Sequence, residues 1–267
     1  MRKDLAVSSA LFVNGFSTRV AHRGAVGATV FGQLVIVSVQ IAIWRALLGA
    51  GANNGVTLRD MITYCVLASV TSNAFRWDET LQRIDADLKS GAISTLLLRP
   101  VAYPLTLFCE NLSGVAFRFA FVALPVAILT IPFYGMRAPA SPAHACAALV
   151  CAGLTALITF LVGYMAVLIA FWVLTTFAVD WTLSALSVVF AGGVVPLWFF
   201  PERWQQWAMW TPFAFLNYHP AALYLGKTAP GGIAGTLAVG ALWVAALALL
   251  STWLWRCAVR RLVVQGG

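Results

Sequence analysis

Between Arg76 and Arg99 the chain gathers Arg76, Asp78, Glu79, Arg83, Asp85, Asp87, Lys89 and Arg99, while the flanking sequence is nearly free of charge. Three kinds of chemistry could use such a set. Asp85 and Asp87 form an Asp-x-Asp pair of the sort that elsewhere holds a metal–phosphate, although two residues make a weak motif. Gly226-Lys227-Thr228 looks like the end of a phosphate-binding loop, but Ala221 stands where that loop needs glycine, so no nucleotide site is expected here. His22, His144 and His219 are scattered, and Cys65, Cys109, Cys146, Cys151 and Cys257 form no CxxC pair. No metal centre, disulfide framework or acid–base catalyst is expected from them. Recognition by a partner protein is what remains.

The spacing inside the charged stretch supports that reading. Trp77, Leu81, Ile84 and Leu88 recur at intervals of four, three and four, which is one apolar stripe on a helix. Asp78, Glu79, Arg83, Asp85 and Asp87 surround the stripe, and Gly91 stands where a helix C-cap would. A short amphipathic helix of this kind, held between two apolar spans over residues 76–101, is a handle on which a soluble partner can push.

The elements around the handle are set by composition. The chain is 61% hydrophobic and 10% charged, with a mean hydropathy of +0.86, whereas soluble domains carry about 25% charged residues. There is too little polar surface to cover a soluble protein of 267 residues, so lipid must cover the apolar remainder. The formal charge of +8 could point to nucleic acid, but no basic face with interleaved aromatics occurs. The basic residues instead flank apolar runs, as membrane topology predicts.

The pattern predicts an all-α membrane protein, a single transmembrane domain over 1–267 with six transmembrane helices. These are expected at about 24–48, 58–75, 105–134, 143–174, 182–197 and 233–255. A crossing helix needs about 20 apolar residues, and the third span, at roughly 45 Å, exceeds the hydrocarbon core. Its first turns are therefore expected at the interface, where Glu110 and Arg118 can reach water or each other, and Pro125 and Pro132 predict kinks. Residues 1–23, with Leu5, Phe12, Phe16 and Val20 at near-helical spacing, predict an amphipathic interfacial helix rather than a signal peptide. Residues 196–230 are rich in Trp, Pro and Phe. They predict an outer re-entrant hairpin before the last span, built of short broken helices that protein must cover. Basic residues concentrate on the side of both termini and the charged loop, which makes that side cytoplasmic.

These residues together resemble the permeases of ATP-binding-cassette (ABC) exporters of the second type, in the bacterial six-span branch with two different permease chains and one separate ATPase. The resemblance covers the whole chain. It rests on SGAISTLLLRPV after the charged helix, on GGVVPLWFFPERWQQWAMWTPFAFLNYHPAALYLGK, and on the RRLVVQGG ending. It implies that the helix bearing Trp77, Asp78, Glu79, Leu81, Arg83, Ile84, Asp85, Asp87 and Leu88 is a coupling helix that docks on a cytoplasmic ABC ATPase. It further implies two copies of that ATPase, a second and related permease chain, and residence in the bacterial inner membrane. ATP would be bound by the partner ATPase, with no cofactor and no catalysis in this chain. The apolar, aromatic spans favour an amphipathic or hydrophobic cargo. An ion-coupled secondary transporter would place ionisable groups near mid-membrane, and a lipid-modifying enzyme would cluster acidic or His residues at the membrane face. Neither pattern is prominent.

Overall fold

The computed structural model describes residues 2–21, 23–51, 55–90, 103–173, 176–228 and 231–265. Among them there is no strand. The helices are α1 (Arg2–Ala21), α2 (Val26–Gly49), α3 (Leu58–Ala74), α4 (Asp78–Lys89), α5 (Tyr103–Tyr134), α6 (Pro142–Val173), α7 (Thr176–Phe190), α8 (Glu202–Trp210), α9 (Tyr218–Leu225) and α10 (Gly232–Gln265). Stretches within α2, α5, α6 and α10 are long and apolar enough to cross a membrane; α7 is apolar but shorter.

α3 runs through the middle of the bundle. A capping box starts it: Thr57 Oγ1 accepts from the Asp60 N–H, and Asp60 Oδ2 accepts from the Thr57 N–H. Asp60 also pairs with Arg137 at 2.7 Å, tying the turn after α5 to the start of α3. Buried side chains occur all round α3, so a helix with several polar residues is covered by protein rather than lipid. α2 shows the opposite economy. Val37, Ile41 and Trp44 face inward at spacings of four and three, while Phe31, Val35, Ile36, Val39 and Ile43 remain exposed, the pattern of one packed stripe and one lipid-facing surface.

α5 is continuous but not regular. Residues Phe119–Ala123 form a π-helical turn that ends two residues before Pro125, which has no N–H to give and crowds the preceding turn. The irregularity expected at Pro125 therefore takes the form of a widened turn, one residue after Arg118. Where a span is expected at 182–197, the apolar helix lies earlier, as α7 at Thr176–Phe190. Gly192, at φ +69°, is where the chain turns away.

Residues 196–228 fold as two 3₁₀ turns and two short helices, α8 and α9, wedged between longer helices. Thr155 Oγ1 donates to Phe215 O at 2.6 Å, and Thr71 and Ser72 donate to Asn217 Oδ1 at 3.0 and 2.8 Å. Thr155 is about 20 Å along α6 from Pro142, and Thr71 about 20 Å along α3 from Leu58. The chain then climbs back through α9 to Gly226, a left-handed C-cap set against Ala140.

Candidate functional site

α4 is bound to the bundle by described side chains from Thr80 to Asp85 and by Trp77 and Glu79 at its start. Leu81, only 3% exposed, packs with Tyr103 and Leu107 of α5 and with Phe160, Tyr164, Val167 and Leu168 of α6. Trp77, just before α4, lies on α6 at Gly163, where an added Cβ would come within 3.0 Å of the Trp77 Cβ and carbonyl oxygen. α7 is fastened at two points: Trp77 Nε1 donates to Asp180 Oδ1 at 3.2 Å, and Thr176 Oγ1 donates to Asp85 Oδ1 at 3.1 Å.

The opposite flank of α4 carries a charge network. Glu79 Oε2 meets Arg19 Nη2 of α1 at 3.2 Å and Arg118 Nη1 of α5. Arg118, 8% exposed, also donates Nε and Nη2 to Ala74 O, a carbonyl at the C-terminal end of α3. Arg83 pairs with Glu110 at 3.3 Å, and Asn111 Nδ2 donates to Thr80 Oγ1 at 3.1 Å. Glu110 and Arg118 thus each engage α4 rather than one another. α1 is drawn in by the same network. Arg19 Nη1 donates to Glu110 O and Ser113 Oγ, and Gly15 is so close that a Cβ there would lie 2.5 Å from Ser113 Oγ. Phe16 adds an edge contact with Phe117. The inward face of α1 is therefore a packed seam of Leu11, Phe12, Gly15, Phe16, Arg19 and Val20, not an apolar face left to lipid alone.

Arg76 and Asp78 form a local pair, with Nε on Oδ1 at 3.0 Å. The hydrogen bond to Asp78 holds the guanidinium above its ordinary pKa. Of the sequence-predicted docking residues, Trp77, Asp78, Glu79, Leu81, Arg83 and Asp85 are thus engaged within the chain. The side chains of Ile84, Asp87 and Leu88, together with Gly91 and the rest of 91–102, lie outside the described residues. Gln82 and Ala86 are exposed on α4. The sequence reading passed over them because neither is charged or part of the stripe. It also passed over Arg19, Gly163, Thr176 and Asp180, whose part depends on contacts far apart along the chain.

Beside the Trp77–Asp180 bond opens a cavity of about 300 Å³. Ser72 of α3, Ser184 and Ser187 of α7, and Asn217 at the foot of the α8–α9 segment line it, with Arg76 and Asp78 nearby. Asp180, Ser184 and Ser187 recur at helical spacing, so α7 has one polar stripe on an otherwise apolar surface. Phe177, Trp181 and Val188 on its other sides are exposed.

A family model described as ABC-2 family transporter protein matches residues 34–266, which include α4, both flanks of the cavity and α10. No curated protein and no solved structure matches the chain.

Proposed function

The chain belongs to the ABC-2 transporter family, and on that premise we propose that it is the permease subunit of an ATP-driven exporter, completed by a second permease chain and powered by two copies of a separate cytoplasmic ATPase. α2, α3, α5, α6, α7 and α10 are the six spans of this reading. α3 can be short and polar because neighbouring helices cover it, and α7 is prolonged by the turn at Gly192. Both termini and α4 lie on the cytoplasmic side, by the distribution of basic residues. The segment 196–230 dips from the outer side and returns. In helical rise, Asn217 then lies roughly two thirds of the way across a hydrocarbon core of about 30 Å.

The observation that carries the reading is the attachment of α4. A polar helix with exposed Gln82 and Ala86 is anchored at once to α1, α5, α6 and α7. A push on its free face is delivered to all of them, because packed elements move as units rather than deforming continuously. Closure of an ATP-loaded ATPase dimer would supply the push, and the Trp77–Asp180 and Asp85–Thr176 bonds would carry it into α7. ATP turnover would reset the arrangement.

The test is co-purification with the ATPase together with transport. Gln82→Arg and Ala86→Arg, which leave the buried side of α4 intact, should weaken ATPase retention and abolish transport without lowering the Tm of the permease. Full retention and transport in both would make α4 a passive loop.

A further inference from the structure

We propose that the cavity between α3, α7 and the foot of the α8–α9 segment binds a hydroxyl-bearing, non-anionic group such as the sugar headgroup of an amphipathic cargo. The inference rests on the permease reading and names the chemistry of what that permease takes up.

Unpaired polar atoms define the site. The hydroxyls of Ser184 and Ser187 have no hydrogen-bond partner among the described residues, although Thr182 on the same helix bonds back to Ala178 O. Asn217 Oδ1 accepts from both Thr71 and Ser72, and the other end of its amide has no partner among the described residues. The opposite amide assignment would leave the oxygen unpaired instead, so one strong hydrogen-bonding atom is spare in either case. Asn217 is buried at a depth where the hydrocarbon offers no partner, and polar groups there must meet water or a polar ligand. An alkyl chain would leave all three groups unsatisfied. A site built to hydrogen-bond a hydroxyl discriminates strongly against an analogue that lacks one.

Charge and shape narrow the class. Arg76 is held by Asp78, so its cation is already matched. Asp180 receives the Trp77 indole N–H, which supplies no charge, and the rim keeps one carboxylate in excess. That excess repels anions. Trp77 and Phe75 bring aromatic surface to the same cavity, as a hydroxylated ring with apolar C–H faces requires. A volume of about 300 Å³ is at the small end of ligand pockets and suits one headgroup rather than a whole cargo.

Ser187→Cys in a background with Cys146→Ser and Cys257→Ser, full chain in nanodiscs without nucleotide, provides the test. Its reaction rates with glucosyl, trimethylammonium-ethyl, sulfonatoethyl and butyl methanethiosulfonates are each divided by the rate with a free thiol. The expected order places glucosyl first, at least roughly five-fold above butyl, as about one net hydrogen bond implies, and sulfonatoethyl last. Asn217→Leu and, separately, Ser184→Ala should each reduce the glucosyl advantage roughly three-fold or more. The serine change, on a partly exposed helix face, keeps the test usable if the asparagine change impairs folding. Equal normalised rates, a butyl or sulfonatoethyl lead, or a glucosyl advantage untouched by Ser184→Ala would overturn the proposal. Because no ATPase is present, such a failure leaves the permease reading standing. Conversely, a chain that recruits no ATPase yet keeps the glucosyl preference loses only the permease reading.

Discussion

Glu79→Gln should destabilise this protein well beyond what a residue on a polar helix would suggest. Its Oε2 is shared by Arg19, at 3.2 Å, and by Arg118. The amide keeps the shape and removes the negative charge, leaving two guanidinium groups facing each other around a neutral acceptor. Breaking a buried ion pair from one side costs about 3–5 kcal/mol. Glu79 is itself 32% exposed, so solvent screening brings the expectation to about 2 kcal/mol. For a chain of this size that is a fall in Tm of roughly 4–8 °C. Asp78→Asn is the internal control. Its partner Arg76 is 47% exposed, and such pairs are worth about 0–1 kcal/mol. Intrinsic tryptophan fluorescence during thermal unfolding in nanodiscs would give both values. Adding Arg118→Gln completes a double-mutant cycle, in which the double variant should be less destabilised than the sum of the singles by about 1 kcal/mol or more. Strict additivity, or a Glu79→Gln shift no larger than that of Asp78→Asn, would refute the claim that this network holds α4 to α1 and α5.

Gly163→Val should force Trp77 off α6, since even a Cβ there meets the Trp77 backbone oxygen at 3.0 Å. Overpacking of this kind costs about 1–3 kcal/mol, and transport should fall more steeply than thermal stability. Leu81→Ala should lower stability by about 2–5 kcal/mol, whereas Gln82→Ala should stay within about 0.5 kcal/mol; denaturant midpoints of the two variants would show whether α4 has the inward and outward faces described. In intact cells, Ser90→Cys should be closed to an impermeant thiol reagent and Arg203→Cys open to it, both in a Cys146→Ser background. Labelling at position 90 from outside would reverse the assigned orientation.

Much of the helical framework was legible because long apolar runs have few other uses. The expected 24–48, 58–75, 105–134 and 143–174 correspond closely to α2, α3, α5 and α6. α7 was displaced because Asp180, Thr176 and Thr182 dilute hydropathy in its first half, while Val194, Val195 and Leu197, apolar but beyond Gly192, extend the run past the helix. The helical spacing of Trp77, Leu81, Ile84 and Leu88 announced α4. It could not say that Leu81 would be buried against α5 and α6, or that Glu79 would be held from two sides. Arg118 was visible as a lone cation in an apolar run, which demands a counter-charge. Glu110 looked like that counter-charge because it is close in sequence, but eight residues of helix, about 12 Å of rise, separate the two, and the position of α4 gives Glu79 to Arg118 and Glu110 to Arg83. The cavity left even less trace. Ser72, Asn217 and the Asp180–Ser184–Ser187 stripe belong to three separate segments, and only the packing of residues 196–228 into the bundle brings them together.

The central claim is that an ATPase grips the exposed face of α4. A photo-crosslinking amino acid placed at Gln82 in cells expressing the native complex, followed by mass spectrometry of the adduct, tests it most directly. An adduct with a cytoplasmic ABC ATPase is expected from Gln82 and none from Thr80, which is buried against Asn111. A folded, membrane-resident protein that yields no ATPase adduct from Gln82 or Ala86 would contradict it.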